Sequence, residues 1–391
     1  MNQNDPNSVE SPSRQHRLEG YISLFVTLIF ILGVFNLQPA LFGRPVQNHN
    51  PFVDPLLTEQ LNEEQQILLF SSTPEAGLAD LEAAVAAARG TVESNLWLVD
   101  GLLATVNRSQ LELLKTDTRV SAVIANRPVI SAARPHVEIS PTDDPARWGI
   151  PNPVSVEVGA NLVHDQGITG AGVTVAVIDS GVFFDDSIED PVFKLNRGRY
   201  LGQADFVKGG RCAAADPIFK QEADHCWSNS SKGADRYGHG SHVAGLIWMD
   251  LVDDRSGATL GVAPNANILS LKVLDEDGGG NYADVIEAIQ FAITKKDQFN
   301  IRVLNLSLSS QSGIPYFVDP LNRAVEEAWG NGIVVVTASG NQGNDPYSVT
   351  VPGNDPYVIT VGALNDQGTS GDFSDDAPTA WSGAGPTVDG F

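Results

Sequence analysis

The sequence predicts an α/β fold, a parallel sheet with helices on both faces, preceded by a smaller α+β domain. From Trp148 onwards, strand patterns rich in valine and isoleucine alternate with helix patterns, which is typical of a parallel sheet buried on both faces. Upstream, between residues 60 and 127, short patterns follow the order β-α-β-β-α-β, the ferredoxin-like arrangement. A chain of 391 residues with 42% apolar residues is long enough for two or three domains.

The smaller domain contains four predicted strands and two predicted helices. The strands cover residues 66–72, 91–98, 102–106 and 120–125, and the helices cover residues 78–88 and 110–115. Gly90 ends the first helix, Asp100-Gly101 is a hairpin-type turn, and Ser109 caps the second helix. Proline-containing stretches lie on either side: residues 44–60 are predicted to be a linker, and Arg127–Arg147 an exposed joint at which processing could occur.

The larger domain, residues 148–391, contains five predicted strands and three predicted helices. The strands cover residues 173–178, 268–274, 301–308, 333–337 and 357–361, and the helices cover residues 243–249, 282–294 and 321–329. A predicted insertion, residues 183–232, contains both cysteines of the chain, Cys212 and Cys226. In an exported protein this pair is a candidate disulfide, with two free thiols as the alternative.

The amino-terminal segment, residues 1–43, predicts export. A polar stretch with Arg14 and Arg17 is followed by an apolar stretch at about residues 20–36. Its length is typical of a signal-peptide core and is short for a membrane-spanning helix of about 20 residues. Because the basic residues precede it, that end is predicted to lie in the cytoplasm. A signal peptide and an uncleaved membrane anchor both fit, so we expect a protein that is secreted or membrane-anchored, facing outside the cytoplasm.

The net charge of the chain indicates which classes of binding partner are not expected. The chain carries 24 Lys and Arg against 48 Asp and Glu, a net charge of −24. So acidic a protein is not expected to bind nucleic acid or an anionic membrane face.

Three polar residues lie at sequence positions that a parallel sheet of this kind usually uses for a functional site. Asp179 ends the first strand of the larger domain, and the carboxyl edge of a parallel sheet is the usual place for a site. His239 lies between two glycines at the start of a helix, 60 residues later. Asn341 follows the strand 333–337 and could donate a hydrogen bond to an oxyanion. Taken singly, a structural acid, a capping histidine and a turn asparagine are the alternatives.

Together these segments resemble the subtilisin-like serine proteases, the subtilases. Asp179-Ser180-Gly181, His239–Gly245 and Ala338–Asn341 resemble the aspartate, histidine and oxyanion motifs of the family, and residues 261–264 and 272–274 resemble further family segments. The resemblance implies peptide-bond hydrolysis with Asp179, His239 and Asn341 as catalytic residues. It implies no cofactor for the chemistry. Structural calcium is frequent in the family, but the acidic loop Asp185, Asp186 and Asp190 does not identify ligands.

The resemblance also implies how polypeptide substrates bind. The matching segments are two strand edges that pair with the substrate backbone: Gly278, Gly279 and Gly280 on one side, and Ser307, Leu308 and Ser309 on the other. Ser309 stands where the family usually has glycine, which leaves the pocket shape there open. In its position before the catalytic domain, the region 60–127 resembles the propeptide that assists folding and blocks the active site. An unrelated small α+β domain is the alternative.

One family segment is missing from the sequence. The nucleophile of the family lies in a Gly-Thr-Ser-Met-Ala segment, whereas the methionines here are Met1 and Met249. Gly368-Thr369-Ser370 repeats three letters, but Gly371-Asp372-Phe373 follows without helical period, so Ser370 is rejected. Gly385–Phe391 resembles the segment that precedes the nucleophile. We therefore expect a precursor truncated before its catalytic serine and inactive alone. The alternative is an inactive, subtilase-like peptide-binding module.

Overall fold

The computed structural model describes residues 51–58, 64–72, 77–132, 154–183, 198–207, 220–221, 225–228, 235–250, 252, 257–367, 369 and 372–391. The strands, numbered in chain order, are β1 (Phe52–Val53), β2 (Gln65–Ser71), β3 (Thr91–Leu96), β4 (Gly101–Val106), β5 (Val120–Ala125), β6 (Pro128–Ser131), β7 (Thr174–Asp179), β8 (Tyr200–Asp205), β9 (Lys220–Gln221), β10 (Cys226–Ser228), β11 (Asn267–Lys272), β12 (Gly279–Asn281), β13 (Ile301–Leu306), β14 (Leu308–Ser309), β15 (Val334–Ala338), β16 (Ile359–Val361), β17 (Leu364–Asn365) and β18 (Ala377–Pro378). The α-helices are α1 (Gly77–Ala88), α2 (Arg108–Leu114), α3 (Val154–Glu157), α4 (Ala160–His164), α5 (His239–Trp248), α6 (Tyr282–Thr294), α7 (Lys296–Phe299) and α8 (Pro320–Gly330).

The smaller domain is a five-stranded sheet packed against α1 and α2. Its strands lie in the order β1-β5-β2-β4-β3. Neighbours are antiparallel except β1, which runs parallel to β5. Leu69 and Leu102 of the sheet are buried in one cluster with Leu81 of α1 and Leu111 of α2. From β2 to β5 the elements follow the predicted β-α-β-β-α-β order.

Strand β1 corrects the prediction of a linker over residues 44–60. In the described part of that stretch, Phe52–Val53 pairs with β5 and Pro55–Thr58 forms a turn of 3-10 helix. A strand of two residues is too short to carry an alternating apolar pattern, so the sequence gives no signal for it. The strand depends on hydrogen bonds to β5, among them the one that the Asp54 N–H donates to the Val123 carbonyl at 2.9 Å.

The larger domain is built on an eight-stranded sheet in the order β16-β15-β13-β7-β11-β8-β10-β9. The strands from β16 to β8 are parallel, and β10 and β9 continue the sheet antiparallel. Strand β7 is central and all its residues are buried. Strands β8, β9 and β10 come from the predicted insertion 183–232, which therefore contributes to the sheet.

Helices cover both faces of this sheet, as predicted. Val175 and Val177 of β7 are buried in one cluster with Ala244 of α5. The alternate residues Ala176 and Ile178 are buried in the cluster that contains α6. Because side chains alternate across a strand, α5 and α6 lie on opposite faces.

The smaller domain packs its open sheet face against α6 and α8. Leu98 is buried in the same cluster as Ile289 of α6. The Leu98 N–H donates to the Gln290 side-chain oxygen at 3.1 Å, and the Arg323 guanidinium of α8 lies 5.6 Å from the Phe70 ring centroid. The two domains therefore share one apolar core at their contact.

Several sequence predictions fall wholly or partly outside the described ranges. Among the described residues, no helix has the length and apolar character needed to cross a membrane, and the apolar stretch at 20–36 lies outside them. Cys226 is disulfide-bonded, but Cys212 lies outside the described residues, so the pairing stays a prediction.

Two carboxyl groups are buried near the start of α8. Burial raises the pKa of Asp319 to about 6 and that of Asp355 to about 7. Asp355 is 4% exposed, and Glu326, whose own pKa is raised by burial, lies beside it. A carboxyl group whose pKa is raised on folding holds its proton in the native state after the unfolded chain has released it. The folded state therefore loses stability as pH rises from about 4 to about 7.

We expect Asp355→Asn to raise the free energy of unfolding at pH 8 by on the order of 2 kcal/mol and to leave it nearly unchanged at pH 4, because the amide has no proton to lose. Urea unfolding at both pH values measures this. Asp345→Asn, at an exposed position, is the matched control and should change neither value. A variant that retains the full pH dependence of the parent would contradict the assignment.

Candidate active site

Asp179 and His239 are in direct contact at the carboxyl edge of the sheet. Asp179 is the last residue of β7 and is fully buried, and His239 is the first residue of α5. The Nδ1 atom of His239 lies 2.8 and 2.9 Å from the two carboxylate oxygens of Asp179. A carboxylate in this position accepts the Nδ1 proton, so Nε2 is left as the basic nitrogen.

The contact depends on the absence of a side chain at residue 240. A Cβ atom there would lie 2.1 Å from the Gly181 carbonyl oxygen and 3.1 Å from the Asp179 Cβ. Glycine thus lets the first turn of α5 approach the end of β7 closely enough for His239 to reach Asp179.

A second carboxylate, Asp235, fastens the two segments together. It accepts hydrogen bonds from the Ser180 hydroxyl at 2.9 Å, the Gly238 N–H at 2.7 Å and the Ser241 N–H at 2.9 Å. The Ser180 hydroxyl in turn accepts from the Gly240 N–H at 2.9 Å. Sequence reasoning missed Asp235. The available signal was its position just before a helix start, where a carboxylate interacts favourably with the free N–H groups of the first turn.

A half-buried lysine lies at the same edge of the sheet. Lys272, the last residue of β11, donates to the carbonyl oxygens of Ser180 at 2.5 Å and Leu274 at 2.6 Å. Burial lowers the pKa of Lys272, and this effect is opposed by the surrounding carboxylates, Asp205, Asp235, Asp275 and Asp179. Through the Ser180 carbonyl, the lysine side chain holds the main chain that follows β7.

The two predicted substrate edges flank a groove, and β6 lies in it. Strands β12 and β14 pair antiparallel with β6 on its two sides, with Gly280 opposite Val129 and Leu308 opposite Ser131. The Ser131 N–H donates to the Gly278 carbonyl at 3.0 Å. Residues 278–280 and 307–309 therefore bind an extended peptide segment of the chain itself. Ser309 is buried and pairs with Ile130.

Asn341 reaches the end of that segment. Its side-chain nitrogen donates to the Ala132 carbonyl oxygen at 2.8 Å, and the Ala132 N–H donates to the Ser307 carbonyl at 2.8 Å. Asn341 follows β15, whose parallel alignment with β13 and β7 brings it to the same edge as Asp179. The asparagine is able to stabilise negative charge that develops on the oxygen it holds.

The groove corrects the predicted exposed joint over residues 127–147. In its described part, Arg127 is 3% exposed and residues 128–131 form a strand. Residues 133–147 lie outside the described ranges, as do Ser370 and the acidic loop Asp185, Asp186 and Asp190. The described residues contain no cluster of three or more His, Cys, Asp or Glu side chains suited to a metal ion.

Comparison with known proteins agrees with this geometry. The sequence profile of the subtilase family, peptidases S8, matches residues 170–388. The chain belongs to the subtilase family. It is 37% identical to the serine protease AprX of Bacillus subtilis over 237 residues, which are 58% of this chain and 46% of AprX. It is 30% identical to subtilisin E of the same species over 359 residues, 90% of this chain and 76% of that protein.

A solved structure shares the subtilase fold. Fervidolysin from Fervidobacterium pennivorans, a keratinolytic enzyme related to subtilisin, superimposes with a TM-score of 0.57 at 21% identity, covering 87% of this chain and 48% of fervidolysin. The α/β architecture predicted from the sequence is confirmed by this match together with the family profile.

We expect Gly240→Ala to break the Asp179–His239 contact and to lower the free energy of unfolding by more than about 2 kcal/mol, because the new methyl group meets backbone that cannot yield. Gly245→Ala, in the same helix, is the matched control. Its Cβ would meet only the Met249 side chain at 3.6 Å, so its stability should stay the same or rise slightly. Denaturant unfolding and the histidine NMR signals measure both effects. Equal behaviour of the two variants would contradict the packing account.

Proposed function

We propose that this chain is the precursor of an exported serine endopeptidase, whose amino-terminal domain inhibits the enzyme by placing residues 128–132 in the substrate groove. One observation carries the proposal: the Ala132 carbonyl lies on Asn341 while the strand before it pairs with both groove edges. Main-chain pairing with alternate side-chain contacts is how proteases of this kind hold a substrate.

The proposed roles follow from the contacts. His239 would take the proton of a serine hydroxyl as that oxygen attacks a peptide carbonyl carbon, and Asp179 would hold the ring and stabilise its charged form. Asn341 would stabilise the tetrahedral oxyanion. His239 would then return the proton to the leaving amide nitrogen. With Ala132 as the acyl residue, the bond broken during processing would be Ala132–Ala133.

A buried ion pair supports the inhibitory role of the amino-terminal domain. The Arg127 guanidinium donates to both carboxylate oxygens of Asp54 at 2.9 Å, and the two side chains are 3% and 0% exposed. The Arg127 carbonyl accepts from the Tyr282 N–H at 3.0 Å. Because Arg127 directly precedes β6, the pair fixes where the strand enters the groove, and removing one partner would leave a buried charge uncompensated.

Export is supported by the apolar stretch at 20–36 behind a basic segment. The disulfide at Cys226 also fits an oxidising compartment. We propose a secreted or membrane-anchored protein, with polypeptides as substrates and with calcium, if bound, in a structural role.

The catalytic serine is proposed to lie outside these 391 residues, because the Gly-Thr-Ser-Met-Ala segment is not among them. A catalytically inactive peptide-binding module is the second candidate, since the groove already holds a peptide strand.

We expect the purified 391-residue chain to show no hydrolysis of casein and to remain uncleaved between residues 127 and 148. The reason is that a triad without its nucleophile retains almost none of its effect. A casein assay and intact-mass measurement check this, with His239→Ala as control. Casein hydrolysis that disappears in His239→Ala would show that a nucleophile is present and would refute the assignment.

A further inference from the structure

The side chain of Ser131 meets a tyrosine at the edge of the groove. Ser131 directly precedes Ala132, the residue whose carbonyl Asn341 holds. Its hydroxyl donates to the Tyr237 hydroxyl at 3.1 Å, and Ser131 is only 6% exposed. The position before the acyl residue is therefore enclosed, and a polar group of the enzyme faces it.

The tyrosine ring is fixed by the groove itself. A Cβ atom on Gly278 would lie 2.5 Å from the Tyr237 ring carbon that carries the hydroxyl, so the ring rests directly on the Gly278 main chain. Gly278 has a φ of +77° and its carbonyl accepts from the Ser131 N–H at 3.0 Å. The same glycine thus holds the backbone of the bound strand and the ring that meets its side chain.

The tyrosine is also tied to the catalytic helix. Tyr237 precedes His239 by two residues, and their ring centroids are 6.4 Å apart. Asp235, on the other side of Tyr237, accepts the Gly238 N–H at 2.7 Å. The hydroxyl is therefore positioned by the segment that positions the histidine, although Tyr237 itself is 37% exposed.

Neighbouring positions of the strand meet different surroundings. Val129 is fully buried, and a Cβ on Gly280 would lie 3.2 Å from its methyl carbon. Ile130 is 51% exposed. Val129 thus has an apolar contact and Ile130 is about half exposed to solvent, whereas the Ser131 hydroxyl has a hydrogen-bond partner.

We propose that Tyr237 is a specificity-determining residue of the groove, which favours polypeptides with serine or threonine immediately before the residue whose carbonyl binds Asn341. The inference rests on the proposed function, in which strand 128–132 is held as a substrate is. An apolar side chain at this position would leave the Tyr237 hydroxyl without this partner. One neutral hydrogen bond changes an equilibrium by about fivefold.

The test uses the complete 391-residue chain and measures hydrogen exchange of the Ser131 and Ala132 N–H groups, which report how often the strand leaves the groove. Ser131→Thr and Ser131→Val are a matched pair, since they differ by a hydroxyl in place of a methyl group. Each is made in the parent chain and in Tyr237→Phe. Tyr357→Phe, whose ring packs beside Trp329 of α8, is the control for losing a tyrosine hydroxyl.

Relative to the intrinsic exchange rate of each sequence, we expect exchange to be about fivefold slower with threonine than with valine in the parent chain. In Tyr237→Phe the two should be equal, and in Tyr357→Phe the difference should persist. Protected N–H groups with equal rates for threonine and valine, or a difference that survives Tyr237→Phe, would overturn this inference alone. Unprotected Ser131 and Ala132 N–H groups in the unsubstituted chain would overturn the proposed function, and this inference with it.

Discussion

The antiparallel pairing of Pro128–Ser131 with both β12 and β14 is the interaction on which the arrangement of the two domains depends. Without it, each groove edge would present unpaired N–H and C=O groups. With it, the end of the smaller domain is held at the carboxyl edge of the larger sheet. The Asp54–Arg127 pair fixes one end of that strand and Asn341 holds the carbonyl at the other. The strand is therefore held by main-chain hydrogen bonds along its length, by a buried ion pair at one end and by the candidate oxyanion donor at the other.

The chemistry of the edge is set by how closely the chain can approach itself. Parallel strands bring Asp179 and Asn341 to one side of the sheet, and Gly240 lets the first turn of α5 come near enough for His239 to meet the carboxylate. Asp235 then closes the connection through the hydroxyl of Ser180. Because these partners come from three separate segments of the chain, around residues 179–180, 235–240 and 341, the geometry follows from the sheet as a whole and not from any single motif.

The sequence predicted the elements whose stability is carried by their own residues. The valine-rich runs of β7 and β15 are recognisable because both faces of a central parallel strand are apolar, and the glycine-flanked polar residues at their ends are brought to one edge by the topology. It did not predict β1 or β6, which are short, contain or adjoin proline, and obtain their hydrogen bonds from other strands. Arg127 was expected to be exposed, since nothing local to it reveals Asp54, 73 residues earlier, as its partner. Asp235 and Tyr237 escaped notice because their roles lie in contacts across the groove and between turns.

The most direct measurement is the carboxyl-terminal residue of the amino-terminal fragment released when the organism that makes this protein matures it. Mass spectrometry of the fragments recovered from cells and medium gives that residue. The account predicts a fragment that ends at Ala132, because the carbonyl of this residue lies on Asn341. A mature protein that is continuous through residues 127–148, or a fragment that ends at another residue in this range, would contradict the claim that the groove holds its own chain as a substrate.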